Sequence, residues 1–261
     1  VSLILGVDQK NIRDSLFALP VDELRRALSV LDRLLPDVVV RIGVVYISRP
    51  DEDEASVLSH REGSRSFSAF LHHLGSFVKL SKKLYGNTYS GGLDISGRNI
   101  DGEFMLRWQE PGLQSVFHVT TLMPNNEKSG GARWKKRHIG NDHVNIVWVE
   151  YGELEIPVDT LLRSQFNSIH IMVAPLGARY FRVLVKINRP EHMHGEYVGP
   201  LIPGVVYIFD YENMSHVASM VRQTAVHAST ACVRSMPHWY ERYQQIVRLN
   251  QRGKDSFVPQ I

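Results

Sequence analysis

The stretch Arg133–Glu150, RWKKRHIGNDHVNIVWVE, sets a basic cluster, a glycine and an asparagine directly ahead of an apolar run. Its second half, VNIVWV, is dense in β-branched and aromatic residues and carries no charge, the composition of a strand buried on both faces. Its first half, KKRHIGND, is polar and contains Gly140, so Asn141 falls at the end of an element, ahead of a strand over Val144–Glu150. Element ends on a rigid sheet are where reactive groups are usually presented, because the backbone is fixed while the side chain stays reachable. A carboxamide both donates and accepts hydrogen bonds but is neither a general base nor a nucleophile. Its chemistry is to orient a water or a substrate oxygen, which suits a reaction limited by positioning, such as phosphoryl transfer from a nucleotide to water. The plainer reading of an asparagine after a glycine is a cap or turn residue.

Working outward, VVVRIGVVYIS over Val38–Ser48 has the signature of a central strand, with charge only at Arg41. Before it, Leu24, Leu28, Leu31 and Leu35 recur at helical spacing between Pro20 and Pro36, predicting an amphipathic helix over Val21–Leu35. The acidic PDEDEAS after the strand is expected as a solvated loop. Phe70, Leu71, Leu74, Phe77 and Val78 predict a helix over Phe67–Leu80, after which the Gly-rich YGNTYSGGLD returns the chain to extended structure. Strands are expected over Glu103–Trp108 and Ser115–Thr121, and a hairpin from His170–Ala174 and Tyr180–Ile187 around PLGA. Helical patterns follow over Glu212–Val233, with Val217, Met220, Val221, Ala225 and Ala228 on one face, and over His238–Leu249. The alternation predicts an α/β fold, a mixed central β-sheet flanked by helices. Residues 1–36 are expected as an N-terminal helical segment and 37–261 as the main domain, the whole reading as a piece of a longer protein.

Composition bounds the function classes. With 261 residues, 43% hydrophobic and 22% charged, the chain can bury a sizeable core. No run of about 18 apolar residues, basic leader or lipidation motif is visible, so no membrane span is expected. The single Cys232 excludes an internal disulfide and a multi-cysteine zinc site, and fits a reducing, cytoplasmic setting. A formal charge of +3 argues against a global nucleic-acid surface, while Arg133, Lys135, Lys136 and Arg137 concentrate positive charge locally.

The same residues carry a resemblance. KKRHIGNDHVNIVWVE, with SGGLD (Ser90–Asp94) and VFHVTTLMP (Val116–Pro124) upstream, resembles the GTPase-activating domain shared by Rap GTPase-activating proteins and tuberin. Downstream, QFNSIHIMVAPL (Gln165–Leu176) and QTAVHAS (Gln223–Ser229) resemble the tuberin branch more than the Rap-directed one. The resemblance runs from roughly Val38 to Val233 and implies a fold distantly related to the small GTPases. It further implies action on a small GTPase in trans with an asparagine thumb, matched by Asn141, that holds the attacking water in line with the γ-phosphate. His138 matches the motif histidine, placed to brace the thumb or touch the partner. Lys135, Lys136, Arg137, Asp142 and Phe166 match positions implied to contact the GTPase, the basic ones by docking on an acidic surface. GTP and Mg2+ would belong to the partner, in keeping with the lack of a GxxxxGK[ST] phosphate loop here. The substrate implied by the tuberin branch is Rheb-like, with a Rap-like GTPase as the alternative. The resemblance also implies a complex with a hamartin-type scaffold, bound through the rest of the parent protein, that restrains target-of-rapamycin signalling and through which the chain is recruited to endomembrane surfaces; homodimerisation stays open. The connections Asn125–Trp134 and Glu191–Gly204 follow neither branch closely and are expected to hold specificity.

Each residue also has a structural reading: His138 as a hydrogen-bonding structural histidine, Lys135–Arg137 as a solvated face, Phe166 as core. The resemblance implies that Arg137 is not an arginine finger. Two other classes are weighed. His192 and His194 at alternate positions prompt a metal-dependent hydrolase without a clear third ligand. A binding module that contacts a GTPase without accelerating it is the other. Cys232, beside Ala231 and Val233 in a helical pattern, is a poor nucleophile candidate.

Overall fold

The computed structural model describes residues 37–82, 88–125, 131–196, 198–233 and 244–248, together with Arg25 and Ser29. The chain divides into two compact units, Val39–Arg234 and, separately, Val1–Val38 with Ser235–Ile261. The helices expected over Val21–Leu35 and His238–Leu249 fall in the latter and lie outside the described residues, except that Arg25, Ser29 and residues 244–248 are helical.

The Val39–Arg234 unit is built on β1 (Val38–Ile47), β2 (Ser76–Lys79), β3 (Phe104–Glu110), β4 (Leu113–Val119), β5 (Val144–Val149), β6 (Ile169–Leu176), β7 (Tyr180–Ile187) and β8 (Val206–Asp210). They form one eight-stranded sheet in the order β2-β3-β4-β1-β5-β6-β7-β8. β5 pairs in parallel with β1 and β6, while β2-β3-β4 and β6-β7-β8 are antiparallel ladders on either flank. The sheet is therefore mixed, as its alternation of long apolar runs and helical patterns requires. Every residue of β5 is buried, which explains its unbroken apolar sequence: a central parallel strand has no solvent face.

Helices cover the sheet unevenly. On one face lie α1 (Glu54–Ser59), α3 (Lys136–Ile139) and α4 (Val158–Leu161), where Val57, Leu58, Ile139, Val158 and Leu162 pack with Ile47, Val147, Val149 and Met172. On the other, α2 (Arg65–Leu74) packs with α5 (Met214–Cys232). There Trp148 of β5 meets Phe67 and Phe70 of α2 and Phe181 of β7 at ring-centroid distances of 5.7, 5.4 and 5.6 Å. The buried Arg222 of α5 closes the end of α2: its guanidinium donates to the carbonyls of His73 and Leu74, each at 3.0 Å, and lies 3.6 Å over the Trp108 ring. Among the described residues no helix is long and apolar enough to cross a membrane.

Two expectations are corrected and one strand is added. The acidic segment after β1 is not a solvated loop: Asp53 caps α1 by accepting from Ser56 N at 2.8 Å, and the buried Glu52 accepts from Ser48 N, Arg49 N and Ser48 Oγ and meets His60 Nε2 at 2.6 Å. The helix expected to reach Leu80 ends at Leu74; Gly75 is extended, and Phe77 and Val78 pair with Leu106 and Met105 in β2. The run VYIFD, left unassigned by its sequence, is the edge strand β8, with Val206 and Ile208 exposed.

Gly43 and Arg41 interrupt the apolar run of β1, and the parallel register sets Gly43 opposite Asn145 of β5. A Cβ at Gly43 would come within 1.8 Å of Asn145 Oδ1, so the glycine makes room for an amide that is itself buried without a hydrogen-bond partner. Gly43→Ala is expected to destabilise the domain by about 2–3 kcal/mol, the cost of overpacking a close-packed core. Combining it with Asn145→Ala should restore most of that loss in urea denaturation; an additive double mutant would refute the steric account.

Candidate functional site

The residues singled out by the sequence gather at the amino-terminal ends of β5 and β6, from Lys136 to Asp142 ahead of β5 and from Arg163 to Ser168 ahead of β6. Open α/β sheets usually bind small ligands outside the carboxyl ends of their parallel strands. This site lies at the opposite end and is a shallow groove of about 380 Å³ lined by Lys136, Arg137, Gly140, Asn141, Arg163, Ser164, Gln165 and Phe166. Three cations and no carboxylate line it, and although Glu54 pairs with Lys136 and Asp101 with Arg137 from outside the groove, the lining presents only cationic groups to an anionic or acidic partner.

Asn141 follows the four-residue helix α3 through a tight turn. Gly140 N donates to Lys136 O at 2.8 Å and Asn141 N to His138 O at 3.0 Å. A Cβ at Gly140 would sit 2.6 Å from Lys136 O, so a glycine is required by close approach of the backbone. The Asn141 side chain is exposed, and its Nδ2 donates to Arg137 O at 2.6 Å. A carbonyl acceptor fixes which end of the amide faces it, leaving Oδ1 free as an acceptor.

Arg137 is tied down. Its Nη2 donates to both oxygens of Asp101, at 2.6 and 2.8 Å, and its guanidinium carbon lies 3.7 Å over the Trp134 ring. Asp101 also accepts from Trp134 Nε1 at 3.2 Å and from Asp94 N at 2.8 Å. His138 is buried, with Nε2 at 3.1 Å from both Arg137 Nε and Asp101 Oδ1. A single ring nitrogen serves one of these at a time: unprotonated it accepts from Arg137, protonated it donates to Asp101. Its ring packs on His118, centroids 4.9 Å apart, and His118 Nδ1 meets Asp142 Oδ2 at 2.6 Å.

The expected partner-contact residues separate into two groups. Lys136, Arg137 and Phe166 face the groove; Phe166 is 49% exposed, while Lys136 is already paired with Glu54 at 2.6 Å. Lys135 and Asp142 are instead buried, and the free domain offers neither to a partner. Lys135 Nζ donates to His60 O at 3.0 Å, and the Asp142 carboxylate bonds His118. Both hold the segment from within. Sequence reasoning missed Asp101, His118, Arg163, Ser164 and Asn167. The available signal was polarity just before a strand, as in QFNSIH, where a buried serine or asparagine must find partners.

His192 and His194 line a neighbouring hollow of about 640 Å³ with His143, Glu191 and Cys232. His192 Nδ1 is 3.0 Å from Ser168 Oγ, and among the described residues no group of three or more His, Cys, Asp or Glu side chains is placed to hold a metal ion. Burial raises the Cys232 thiol pKa, which disfavours the nucleophilic thiolate.

The family model described as Rap/ran-GAP matches residues 57–248, most of the chain and all of this site. The chain belongs to the Rap/Ran-GAP family. It is 32% identical over 256 residues to the tuberous sclerosis 2 protein homolog of Schizosaccharomyces pombe, covering 92% of this chain and 18% of that protein. It is 29% identical over 250 residues to the human Ral GTPase-activating protein subunit alpha-1, covering 94% of this chain and 11% of the relative. The solved structure of the TSC2 GAP domain superposes with a TM-score of 0.61 at 30% identity, covering 75% of this chain and 97% of that one. The chain thus has the α/β architecture of that domain and is a GTPase-activating domain of the Rap/Ran-GAP type. It spans less than a fifth of the length of either curated relative.

Two titrations report the interior of the site. Burial raises the Asp101 carboxyl, but hydrogen bonds from His138, Asp94 N and Arg137 outweigh it and hold the group well below the usual carboxylate range. A depressed folded pKa stabilises above the unfolded value, near 4, and that stabilisation is lost as the pH falls below it. Asp101→Asn is expected to cost about 2 kcal/mol at pH 7, with the gap from wild type narrowing below about pH 4 in chemical denaturation. Lys135 is pushed down to about 8 by burial, with Arg61 adding like charge. Its unfolded form binds more protons above that value, so wild type should gain stability relative to Lys135→Met between about pH 8 and 10.5. A flat difference across that range would refute the burial of the charge.

Proposed function

We propose that this domain stimulates GTP hydrolysis by a Rheb-like small GTPase, with Asn141 entering the partner's nucleotide site as the residue that positions the attacking water. The observation that carries the reading is the Asn141 amide itself: exposed, in a basic groove, with Nδ2 anchored on Arg137 O and Oδ1 left free to accept a hydrogen bond from water. A carboxamide activates nothing by proton transfer, so its contribution is orientation, which suits phosphoryl transfer to water. In this reading GTP and Mg2+ are held by the partner. Lys136 and Arg163 add positive charge beside the nucleotide and acidic surface, Phe166 supplies an apolar contact, and His138 holds Arg137 and the turn beneath Asn141. A hamartin-type scaffold would engage other parts of a longer protein. The 29% identity to a Ral GTPase-activating subunit makes a Ral-type GTPase the second substrate to test, beside a Rap-type one.

Single-turnover hydrolysis by purified Rheb-, Rap- and Ral-type GTPases is expected to accelerate by about 10³–10⁵-fold with the domain for the true substrate. Asn141→Ala should return the rate to the intrinsic one while the affinity for the GTP-bound partner stays within about threefold, the pattern of an interaction made only in the transition state. Asn141→Asp should fail equally, because a carboxylate cannot donate to Arg137 O. Acceleration that survives Asn141→Ala would refute the role of the thumb, and partner binding without acceleration by wild type would leave a binding module.

A further inference from the structure

The turn that carries Asn141 is bound, carbonyl by carbonyl, to the loop that carries Phe166. Ser164 Oγ donates to Gly140 O at 2.6 Å. Asn167 Nδ2 donates to Ile139 O at 2.8 Å and to Asp142 O at 2.6 Å, so both of its amide protons are used. Ser168 N and Ile169 N then both donate to His143 O, at 2.8 and 3.1 Å. The carbonyls on either side of Asn141 are thereby held from the neighbouring loop while the Asn141 side chain is left outside.

Two features argue that these side chains do more than fill space. Asn167 is 3% exposed, and its Oδ1 is buried without a partner, a cost of about 1–3 kcal/mol that a leucine of similar size would avoid. The residue is therefore held for its two donors, which fix the amide orientation. Ser164 Oγ also accepts from Phe166 N at 3.1 Å while it donates to Gly140 O. One hydroxyl thus links the backbone of the half-exposed aromatic to the backbone of the turn.

We propose that Ser164 and Asn167 are positioning residues that set the Asn141 turn and couple it mechanically to contact at Phe166. The inference rests on the proposed role of Asn141. A partner surface pressing on Phe166 moves the loop that grips the turn, so docking and placement of the carboxamide are one event. Misplacement of a water-orienting group by about 1 Å costs on the order of 10²-fold in rate, whereas the side chains of Phe166, Lys136 and Arg163 remain to dock the partner in variants of Ser164 or Asn167.

The test is single-turnover GTP hydrolysis by the stimulated GTPase, with the domain titrated to saturation, for wild type, Ser164→Ala, Ser164→Thr, Asn167→Leu and Asn141→Ala. The expected result is a maximal stimulated rate at least 30-fold lower for Ser164→Ala and Asn167→Leu, with half-saturating concentrations within threefold of wild type. Ser164→Thr keeps the hydroxyl and should stay within threefold of the wild-type rate. Backbone amide exchange at Asn141 and Asp142 should quicken in Ser164→Ala even without a partner, with the melting temperature of the domain little changed. Wild-type rates in Ser164→Ala and Asn167→Leu would overturn the clamp alone. So would parallel losses of rate, affinity and melting temperature, which a merely structural role would produce. An Asn141→Ala variant as active as wild type would overturn the thumb and the clamp together.

Discussion

A helix of four residues cannot hold itself: one turn fixes several dihedral angles for a single hydrogen bond, and nucleation is unfavourable. Yet α3 and the turn after it carry the side chain on which the site is centred. The helix persists because groups from distant parts of the chain grip it. Asp101 takes Arg137 and His138, Glu54 takes Lys136, the carbonyl of His60 takes Lys135, and Asn167 takes the carbonyl of Ile139. Ile139 is the apolar anchor, buried among Val57, Leu58 and Val147. The KKRHIGND segment thus has two audiences. Lys135, His138, Ile139 and Asp142 face inward and fix the turn, while Arg137 and Asn141 reach the surface.

That division explains why the sheet matters to the site. β5 lies between β1 and β6, parallel to both and buried along its length, so the point where the chain enters it is among the best fixed in the domain. Asn141 is three residues ahead of that point, and the Phe166 loop is three residues ahead of the same point on β6. Adjacent parallel strands bring two adjacent loops together, and polar side chains then tie them. Rigid strands with reachable ends are the general arrangement for placing chemistry; the departure here is the use of the amino ends, where backbone donors and acceptors on the two entering segments are still unpaired by the sheet.

The central strands, the hairpin of β6 and β7 and helix α5 were legible in the sequence because each has a long, uniform apolar pattern. Asn141 was legible because a polar, glycine-containing segment abuts such a strand. The errors fell where local pattern and tertiary contact disagree. Phe77 and Val78 continue the helical spacing of α2, but the chain becomes extended at Gly75 and they pair with β3. Glu52 and Asp53 look like solvated charge, but one is buried under hydrogen bonds and the other is a cap. Lys135 belongs to a basic run that reads as surface, yet its amine lies inside. Asp101 and Ser164 went unread, and Asn167 showed only as polarity ahead of a strand, because their roles depend on partners 24 to 36 residues away in the chain, which no periodicity reports.

The buried amine of Lys135 has a practical consequence. With its pKa at about 8, it carries a free-base fraction of about a tenth at neutral pH, where an ordinary lysine carries less than a thousandth. That free base is out of reach while α3 is seated, because the side chain is fully buried. An amine-directed acylating reagent would meet it only when the helix lifts, and since the burial that lowers its pKa is then lost, it reacts as an ordinary solvated lysine in proportion to how often the segment opens. Lys135 is in effect an internal clock for the opening of the segment that carries Asn141, readable by mass spectrometry without adding a probe to the protein.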